Sequence, residues 1–219
     1  MITLNDVTLI MVDCLNYERA KLVFKHCLSK VNFAEAKYIT SFAVEDEFTE
    51  KYCVKIDPIE TKRQYSFFML SKLNFYFNTK YVLTIQHDGF ILDETMWSDE
   101  FLEYDYIGAT WPTVCLDDGV PSHFNVGNGG FSLRSKKLHT ILQKDVNIVK
   151  NKDEDKAICQ INRSYLEYVH GIKIAPEHIA DRFSFEYLDW LERPIPKTFG
   201  GHNVNLKNTK RSAYLDIEV

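Results

Sequence analysis

Acidic and imidazole side chains follow apolar runs at two widely separated places in the chain. Asp13 ends the run 7–12, and His87 and Asp88 follow the run 81–85. Carboxylates with an imidazole can hold a hard divalent cation whose other ligands are phosphate oxygens and water. Because Asp followed by Gly is also a frequent turn pair, an ordinary turn is the alternative for His87 and Asp88.

The segment Gly127-Asn128-Gly129-Gly130 places three glycines within four residues, directly before a strand-like run. Glycine permits a positive φ or a close approach to a bound group, and the Asn128 amide can both donate and accept hydrogen bonds. We interpret the segment as part of a site. A glycine-rich turn before a strand is the alternative.

The elements that must position these residues alternate between apolar runs and amphipathic stripes. An apolar stripe from Ala20 to Val31, preceded by Asn16 as a cap, predicts one helix, and 61–77 predicts another. The predicted strands are 7–12, 36–42, 52–56, 81–85, 106–109 and 131–133.

Strands that alternate with helices predict an α/β fold with an open, mainly parallel sheet and helices on both faces. Residues 1–219 are expected to form a single domain, with a tail from about 203 to 219. Ligands bind at the carboxyl ends of the strands in such sheets. Asp13, His87 and Asp88 should therefore lie on one rim.

Several functional classes are disfavoured by what the sequence lacks. No Gly-x-Gly-x-x-Gly follows the first strand and no P-loop motif occurs, so something other than a glycine-rich loop must hold any phosphates, and a divalent cation would do so. Five cysteines without a Cys-x-x-Cys pair argue against zinc or disulfide frameworks and favour a reducing compartment. With no basic leader or 18-residue apolar stretch, we expect a cytoplasmic protein without a transmembrane segment. The oligomeric state is undetermined.

Four segments together resemble one known family. They are 86–90, 101–109, 127–134, and 175–177 followed by 182–186. These segments look like the DUF5672 family, which belongs with the GT-A type nucleotide-sugar glycosyltransferases, and the resemblance runs from about 7 to 202. It implies a GT-A-like, Rossmann-type fold. It also implies transfer of a hexose-type sugar from a nucleoside diphosphate sugar, UDP-sugar first, to an acceptor hydroxyl.

The resemblance further implies a site for Mn²⁺ or Mg²⁺. The Asp-x-Asp motif of the class falls on Gln86-His87-Asp88, where only the last carboxylate is present. This implies Asp88 as a metal ligand and His87 as a diphosphate contact. Many GT-A enzymes bring a late histidine to the metal, which implies His202, with a loop histidine as the alternative.

Inverting members of the class place an acidic pair after the glycine-rich segment. The resemblance therefore implies Asp155 as the general base, with Glu154 as the second choice. If Asp153 is an N-cap, both acids occupy a first helical turn, where the macrodipole favours carboxylates without any catalysis. This structural interpretation is the alternative.

The remaining candidates form two groups. Asp13, Lys72 and Arg134 are expected at the nucleotide-sugar, although Lys72 can extend to the surface and Arg134 can pair with a neighbouring carboxylate. Trp111, Asn128, Gly129 and Gly130 are expected at the acceptor or the transferred sugar, with a partly buried aromatic as the alternative for Trp111.

The family resemblance implies a glycan or polysaccharide precursor as the leading candidate for the acceptor. A hydroxymethylated base in DNA is the second, although the net charge of −5 weighs against it. A catalytically silent nucleotide- or sugar-binding module is a separate alternative, which the incomplete Asp-x-Asp motif permits. A nucleotidyltransferase is disfavoured, since no basic phosphate loop lies near the first strand.

Overall fold

Nine strands and seven helices are present in the computed structural model, which describes residues 1–43, 45–112, 116–117, 119–186 and 197–203. The strands are β1 Ile2–Val12, β2 Val31–Thr40, β3 Cys53–Lys55, β4 Tyr81–Ile85, β5 Phe90–Ile91, β6 Tyr106–Ile107, β7 Phe131–Ser135, β8 Ser184–Glu186 and β9 Gly200–His202. The α-helices are α1 Tyr17–Lys30, α2 Glu47–Tyr52, α3 Lys62–Ser71, α4 Lys136–Lys144, α5 Glu154–Lys156, α6 Arg163–His170 and α7 Glu177–Phe183. Short 3₁₀ helices cover Leu73–Tyr76, Glu94–Met96 and Asp99–Glu103, and a short π-helix covers Ala157–Ile161.

The main sheet has six strands in the order β3-β2-β1-β4-β7-β6. β1 pairs in parallel with β2 and β4, and β2 pairs in parallel with β3. The predicted α/β class and mainly parallel sheet are confirmed. β7 runs antiparallel to both β4 and β6, because the chain enters it from the carboxyl edge of the parallel strands.

This reversal positions the glycine-rich segment. Phe131 pairs with Ile85 at the end of β4, and the Gln86 N–H donates to the Gly130 carbonyl at 3.0 Å. The segment that precedes β7 therefore lies beside the segment that follows β4. Residues separated by about forty positions in the chain thus share one edge of the sheet.

Two helices cover opposite faces of the parallel strands. α1 buries Val23, Phe24 and Cys27 in the larger core. Phe68 and Met69 of α3 belong to a second core with Ile10, Val12, Ile39 and Val82. The capping box formed by Thr61 and Gln64 begins α3.

Several boundaries differ from the sequence prediction, and one helix was not predicted. The helix predicted over 61–77 ends at Ser71 and continues as the 3₁₀ turn Leu73–Tyr76. β2 starts at Val31 rather than 36, because its backbone is extended directly after α1 with no intervening loop. α2 was not predicted, and its N-cap is the Asp46 side chain.

A second, three-stranded sheet has the order β5-β9-β8. It brings Gly201 between Phe90 and Phe185 and places His202 opposite Glu186. A Cβ on Gly200 would lie 2.2 Å from the Phe131 ring, so a side chain there would prevent this packing. Within the described ranges, none of the helices has the length and apolar character needed to cross a membrane.

Candidate active site

A cavity of about 630 Å³ opens at the carboxyl edge of the parallel strands. The segments after β1 and β4 form one side, and α5 forms another. The start of α3 with residues 59–61, residues 111–112, the glycine-rich segment and the ends of β8 and β9 complete the lining. The predicted site residues that line it are Asp13, His87, Trp111, Asn128, Gly130, Glu154, Asp155 and His202.

Asp13 and His87 lie together on the rim, as their positions at strand ends predict. Asp13 Oδ2 is 3.2 Å from His87 Nδ1, and Asp13 Oδ1 accepts the backbone N–H groups of Leu15 and Asn16 at 2.7 Å. Burial raises the pKa of Asp13, but the hydrogen bonds from His87 and the two amides outweigh burial, so the pKa falls below its ordinary value. Arg19 Nε donates to the His87 carbonyl at 2.9 Å, which fixes the segment.

His202 lies between two carboxylates. Its Nε2 is 3.4 Å from Asp88 Oδ1, and its Nδ1 is 3.4 Å from Glu186 Oε2. Burial lowers the pKa of His202, but the two negative charges raise the pKa to about 10. His202 Nε2 also lies 3.2 Å from Gln86 Oε1. His202 is therefore a cation at neutral pH.

Glu186 was not predicted as a site residue, although this residue lies in the segment 182–186 that resembles the family. Glu186 Oε2 accepts a hydrogen bond from Asn128 Nδ2, and Asn128 Oδ1 accepts the Gly130 N–H at 2.9 Å. The glycine-rich segment is thus tied to His202 through one carboxylate. No sequence signal marks Glu186, because its partners come from other elements.

Asp88 and His202 fit a metal site that a ligand must complete. Asp88 Oδ1 and His202 Nδ1 are buried and form no hydrogen bond within the described ranges, although His202 Nε2 and Glu186 Oε2, respectively, lie 3.4 Å from them. Carboxylate oxygen and imidazole nitrogen suit Mn²⁺ and Mg²⁺. Among the described residues, no group of three or more His, Cys, Asp or Glu side chains could hold a metal by itself. Phosphate oxygens would have to supply the remaining ligands.

The two acids of α5 have different surroundings. Glu154 Oε1 lies 3.0 Å from Nη2 of Arg134, whose guanidinium is fully buried over the Tyr106 ring. Asp155 accepts the N–H groups of Gly129 at 3.3 Å and Lys156 at 2.7 Å. Burial, followed by the negative charge of Glu154, raises the pKa of Asp155 to about 7. Asp155 is therefore the acid that can exchange a proton near neutral pH.

Two residues predicted at the nucleotide-sugar lie elsewhere. Arg134 does not line the cavity, because its guanidinium is buried and binds Glu154. This is the alternative in which Arg134 pairs with a neighbouring carboxylate. Lys72 follows α3 and lines a different cavity. Asp153 does occupy the N-cap position of α5, but its side chain binds Lys62 at 2.7 Å instead of capping.

The glycines of the site accommodate protein side chains. A Cβ on Gly130 would lie 1.9 Å from the His202 ring, and a Cβ on Gly129 would lie 2.4 Å from Glu154 Oε1. A Cβ on Gly127 would lie 2.7 Å from the Trp111 ring. Neither Gly129 nor Gly130 has a positive φ. The close approach that the sequence suggested is therefore made by His202, Glu154 and Trp111, and Gly129 itself does not line the cavity.

Comparisons with known proteins agree with this architecture. Residues 51–202, more than half of the chain, match the family described as "Protein of unknown function (DUF5672)". A glycosyltransferase involved in the glycosylation of the major capsid of PBCV-1 has a similar structure, with 12% identity, coverage of 94% of this chain and 96% of that chain, and a TM-score of 0.51. The galactosyltransferase LgtC, in complex with donor and acceptor sugar analogs, gives 14% identity, coverage of 89% and 86%, and a TM-score of 0.47.

The comparison with curated proteins finds no match. At 12% identity, the likeness to the PBCV-1 enzyme is evidence about the fold alone, which is of the GT-A type. The family match extends from the end of α2 to the end of β9, a range that includes Asp88, Asp155 and His202. It is evidence of family membership that does not depend on the structural likeness. The chain belongs to the DUF5672 family.

Proposed function

We propose that the protein is a glycosyltransferase that moves a hexose-type sugar from a nucleoside diphosphate sugar, UDP-sugar first, to an acceptor hydroxyl. One observation carries the proposal: Asp155, with a pKa of about 7, lines the same cavity as His202, which contacts Asp88. The Asp155 carboxylate, which would accept the proton, and His202, which with Asp88 would hold the metal, thus lie at one cleft. The GT-A fold and the activity of the PBCV-1 enzyme support this assignment.

Asp88, His202 and His87 would bind the donor diphosphate. A divalent metal held by Asp88 and His202 would neutralise the charge of the leaving diphosphate. Asp13 holds the His87 ring through Nδ1, which leaves Nε2 for a diphosphate oxygen. Because its pKa is about 10, His202 would have to lose its proton to act as a ligand.

Asp155 would accept the proton of the acceptor hydroxyl. As the acceptor oxygen bonds to the anomeric carbon, the bond from that carbon to the diphosphate oxygen breaks and the diphosphate leaves with the electron pair. The N–H groups of Gly129 and Lys156 orient the Asp155 carboxylate. Glu154 is less suited to this role, because Arg134 already binds it.

Trp111, Asn128 and Gly130 line the cavity and would contact the sugar or the acceptor. A glycan or polysaccharide precursor remains the first acceptor, and a hydroxymethylated DNA base the second, because the net charge of −5 disfavours a polyanion. A silent nucleotide-sugar-binding module is a different function. The incomplete Asp-x-Asp motif at Gln86-His87-Asp88 permits this alternative.

One experiment separates these functions. Thermal melting with nucleoside diphosphates and their sugars, with and without Mn²⁺, identifies the donor, since a ligand at a hundred times its Kd adds about 2.7 kcal/mol of stability. Slow release of UDP from the identified donor then distinguishes an enzyme from a binder. A donor that binds with no hydrolysis and no transfer to any glycan would favour the silent module, and the absence of any nucleotide-specific shift would contradict both.

A further inference from the structure

A second cavity, of about 1130 Å³, lies beside the candidate active site. It is formed by the segment after β3, by one face of α3 and by residues 150–151. Ile59 and Thr61 line both cavities, so the two are neighbours that share a wall. Nothing in the proposed donor chemistry uses this second cavity.

The second cavity is strongly basic. Lys55, Arg63, Lys72 and Lys150 line it, and among the described residues of its wall Asp57 is the one acid. None of these four cations forms an ion pair with the residues that the structure describes, whereas Lys62 and Lys156 nearby each bind an acid. Four unpaired cations in one concave surface are unexpected in a chain whose net charge is −5.

The cavity wall also contains aromatic surface. The Phe67 side chain is 51% exposed, and Phe68 packs against Tyr76 with their ring centroids 5.3 Å apart. Exposed aromatic faces beside cations suit a ligand that carries both an anionic group and an apolar or sugar surface. Partial burial lowers the pKa of Lys150, and a bound anion would counteract that effect.

We propose that this cavity binds an anionic group, phosphate or carboxylate, carried by the acceptor. This inference rests on the proposed glycosyl transfer. Converging cations concentrate anions at a concave surface, and the planar guanidinium of Arg63 matches two oxygens of such a group. Ile59 and Thr61 line both cavities, so an acceptor with its hydroxyl at Asp155 would extend over these two residues to place its charged part in the basic cavity. The same cations would also bind a free phosphate ester.

Direct binding tests the site without requiring turnover. Glucose 6-phosphate and glucose are titrated into the full chain with the donor cleft saturated by UDP and Mn²⁺. The wild-type protein should bind only the phosphate ester. The double variant R63Q/K72Q should bind it roughly tenfold to thirtyfold more weakly, since each exposed charge contact contributes up to about a factor of five.

The matched control is K25Q/K51Q, which removes two lysines that line a different cavity. It makes the same change in net charge and should leave binding of the phosphate ester unchanged. Equal weakening in both double variants would show only a general charge effect and overturn the site. Equal binding of glucose and its phosphate, or no binding to the wild-type protein, would do the same.

A second measurement distinguishes an acceptor-borne group from a free anion. Transfer is measured on a glycan panel that pairs phosphorylated and uronic-acid-containing oligosaccharides with neutral ones. R63Q/K72Q should raise the KM for the anionic members about tenfold, with kcat and donor hydrolysis unchanged. Equal KM values for anionic and neutral acceptors in the wild-type protein would overturn the acceptor assignment. If the wild-type protein neither hydrolysed the donor nor transferred sugar to any acceptor, the proposed function would be overturned instead.

Discussion

Two neighbouring acids, Glu154 and Asp155, differ in the groups that they contact. Arg134 binds Glu154 in the interior, whereas Asp155 accepts backbone N–H groups and lines the cleft. Replacing Asp155 by Asn keeps the shape and removes the basic oxygen, so kcat should fall on the order of 10²- to 10⁴-fold with donor binding intact. Rapid-quench kinetics and calorimetry measure these two quantities.

Glu154→Gln is the informative control for this substitution. It leaves the buried Arg134 guanidinium without its charged partner, which should cost about 3–5 kcal/mol of folding stability. Asp155→Asn should melt near the wild-type temperature at about pH 4, where the Asp155 carboxyl is protonated. An Asp155→Asn protein that transfers sugar at the native rate would remove Asp155 from the chemistry.

The raised pKa of Asp155 predicts two pH dependences. As a base, Asp155 must be ionised, so kcat/KM should rise with pH through about 7. Its folded-state pKa lies above the unfolded value of 3.8, so its contribution to stability is fully present below about pH 4 and is lost as pH rises through about 7. The difference in melting temperature between the wild-type protein and Asp155→Asn, measured from pH 4 to 9, should follow this curve. A flat difference would contradict the burial of this carboxyl.

Asp88 and His202 give a separate prediction about metal. Asp88→Asn should weaken Mn²⁺-dependent UDP binding at least tenfold, because one of two protein ligands is lost. Isothermal calorimetry with Mn²⁺ and with EDTA provides the measurement. Equal UDP affinity of the wild-type protein under the two conditions would show that no metal holds the diphosphate.

At the scale of elements, β7 and β9 meet at Gly130. The backbone of Gly130 contacts the His202 ring so closely that a Cβ would overlap it. Gly130→Ala should therefore displace His202 and weaken Mn²⁺-dependent UDP binding about as much as His202→Ala does. Gly129→Val is a less useful test of sugar contact, because its side chain would collide with Glu154 and Arg134 and disturb the fold.

Gly171→Ala is the matched control for Gly130→Ala. Gly171 ends α6 with φ of 60°, and the nearest atom to an added Cβ is 3.9 Å away. Its replacement should cost about 1 kcal/mol of stability through backbone strain and leave UDP binding unchanged. A Gly130→Ala protein with native UDP affinity would show that His202 does not depend on this contact.

At the scale of the whole molecule, β9 joins the end of the described chain to its centre. It pairs with β5, which follows Gln86-His87-Asp88, and with β8. Phe199 packs on Phe131 and Phe183. The predicted tail, about 203–219, lies outside the described residues after Asn203. A chain that ends at Asn203 retains β9 and His202, and it is the reference for melting temperature and donor binding.

A chain that ends at Thr198 should lose both properties. It lacks Phe199, which is fully buried, and His202, so the second sheet loses its central strand. Circular dichroism melts and UDP titration compare the two truncated chains. If the chain ending at Thr198 bound UDP with Mn²⁺ as the full chain does, neither β9 nor His202 would belong to the site.

The sequence alone determined the alternation of strands and helices and the meeting of Asp13 with His87. Periodicity is a local property, and the carboxyl ends of parallel strands share one edge whatever the loops between them do. The exact span of β4, Tyr81–Ile85, follows from the same apolar pattern. Family resemblance, rather than pattern, indicated Asp155 and His202.

The pairing of charged side chains in the site is seen only in the tertiary structure. His202 meets Gln86 across 116 residues, and its second carboxylate, Glu186, comes from a strand that no periodicity marks. Arg134 binds Glu154 inside the protein because the antiparallel β7 places it against Tyr106, and Lys72 lines a separate cavity. Such pairings depend on sheet order and burial, and these arise from contacts between distant segments rather than from neighbouring residues.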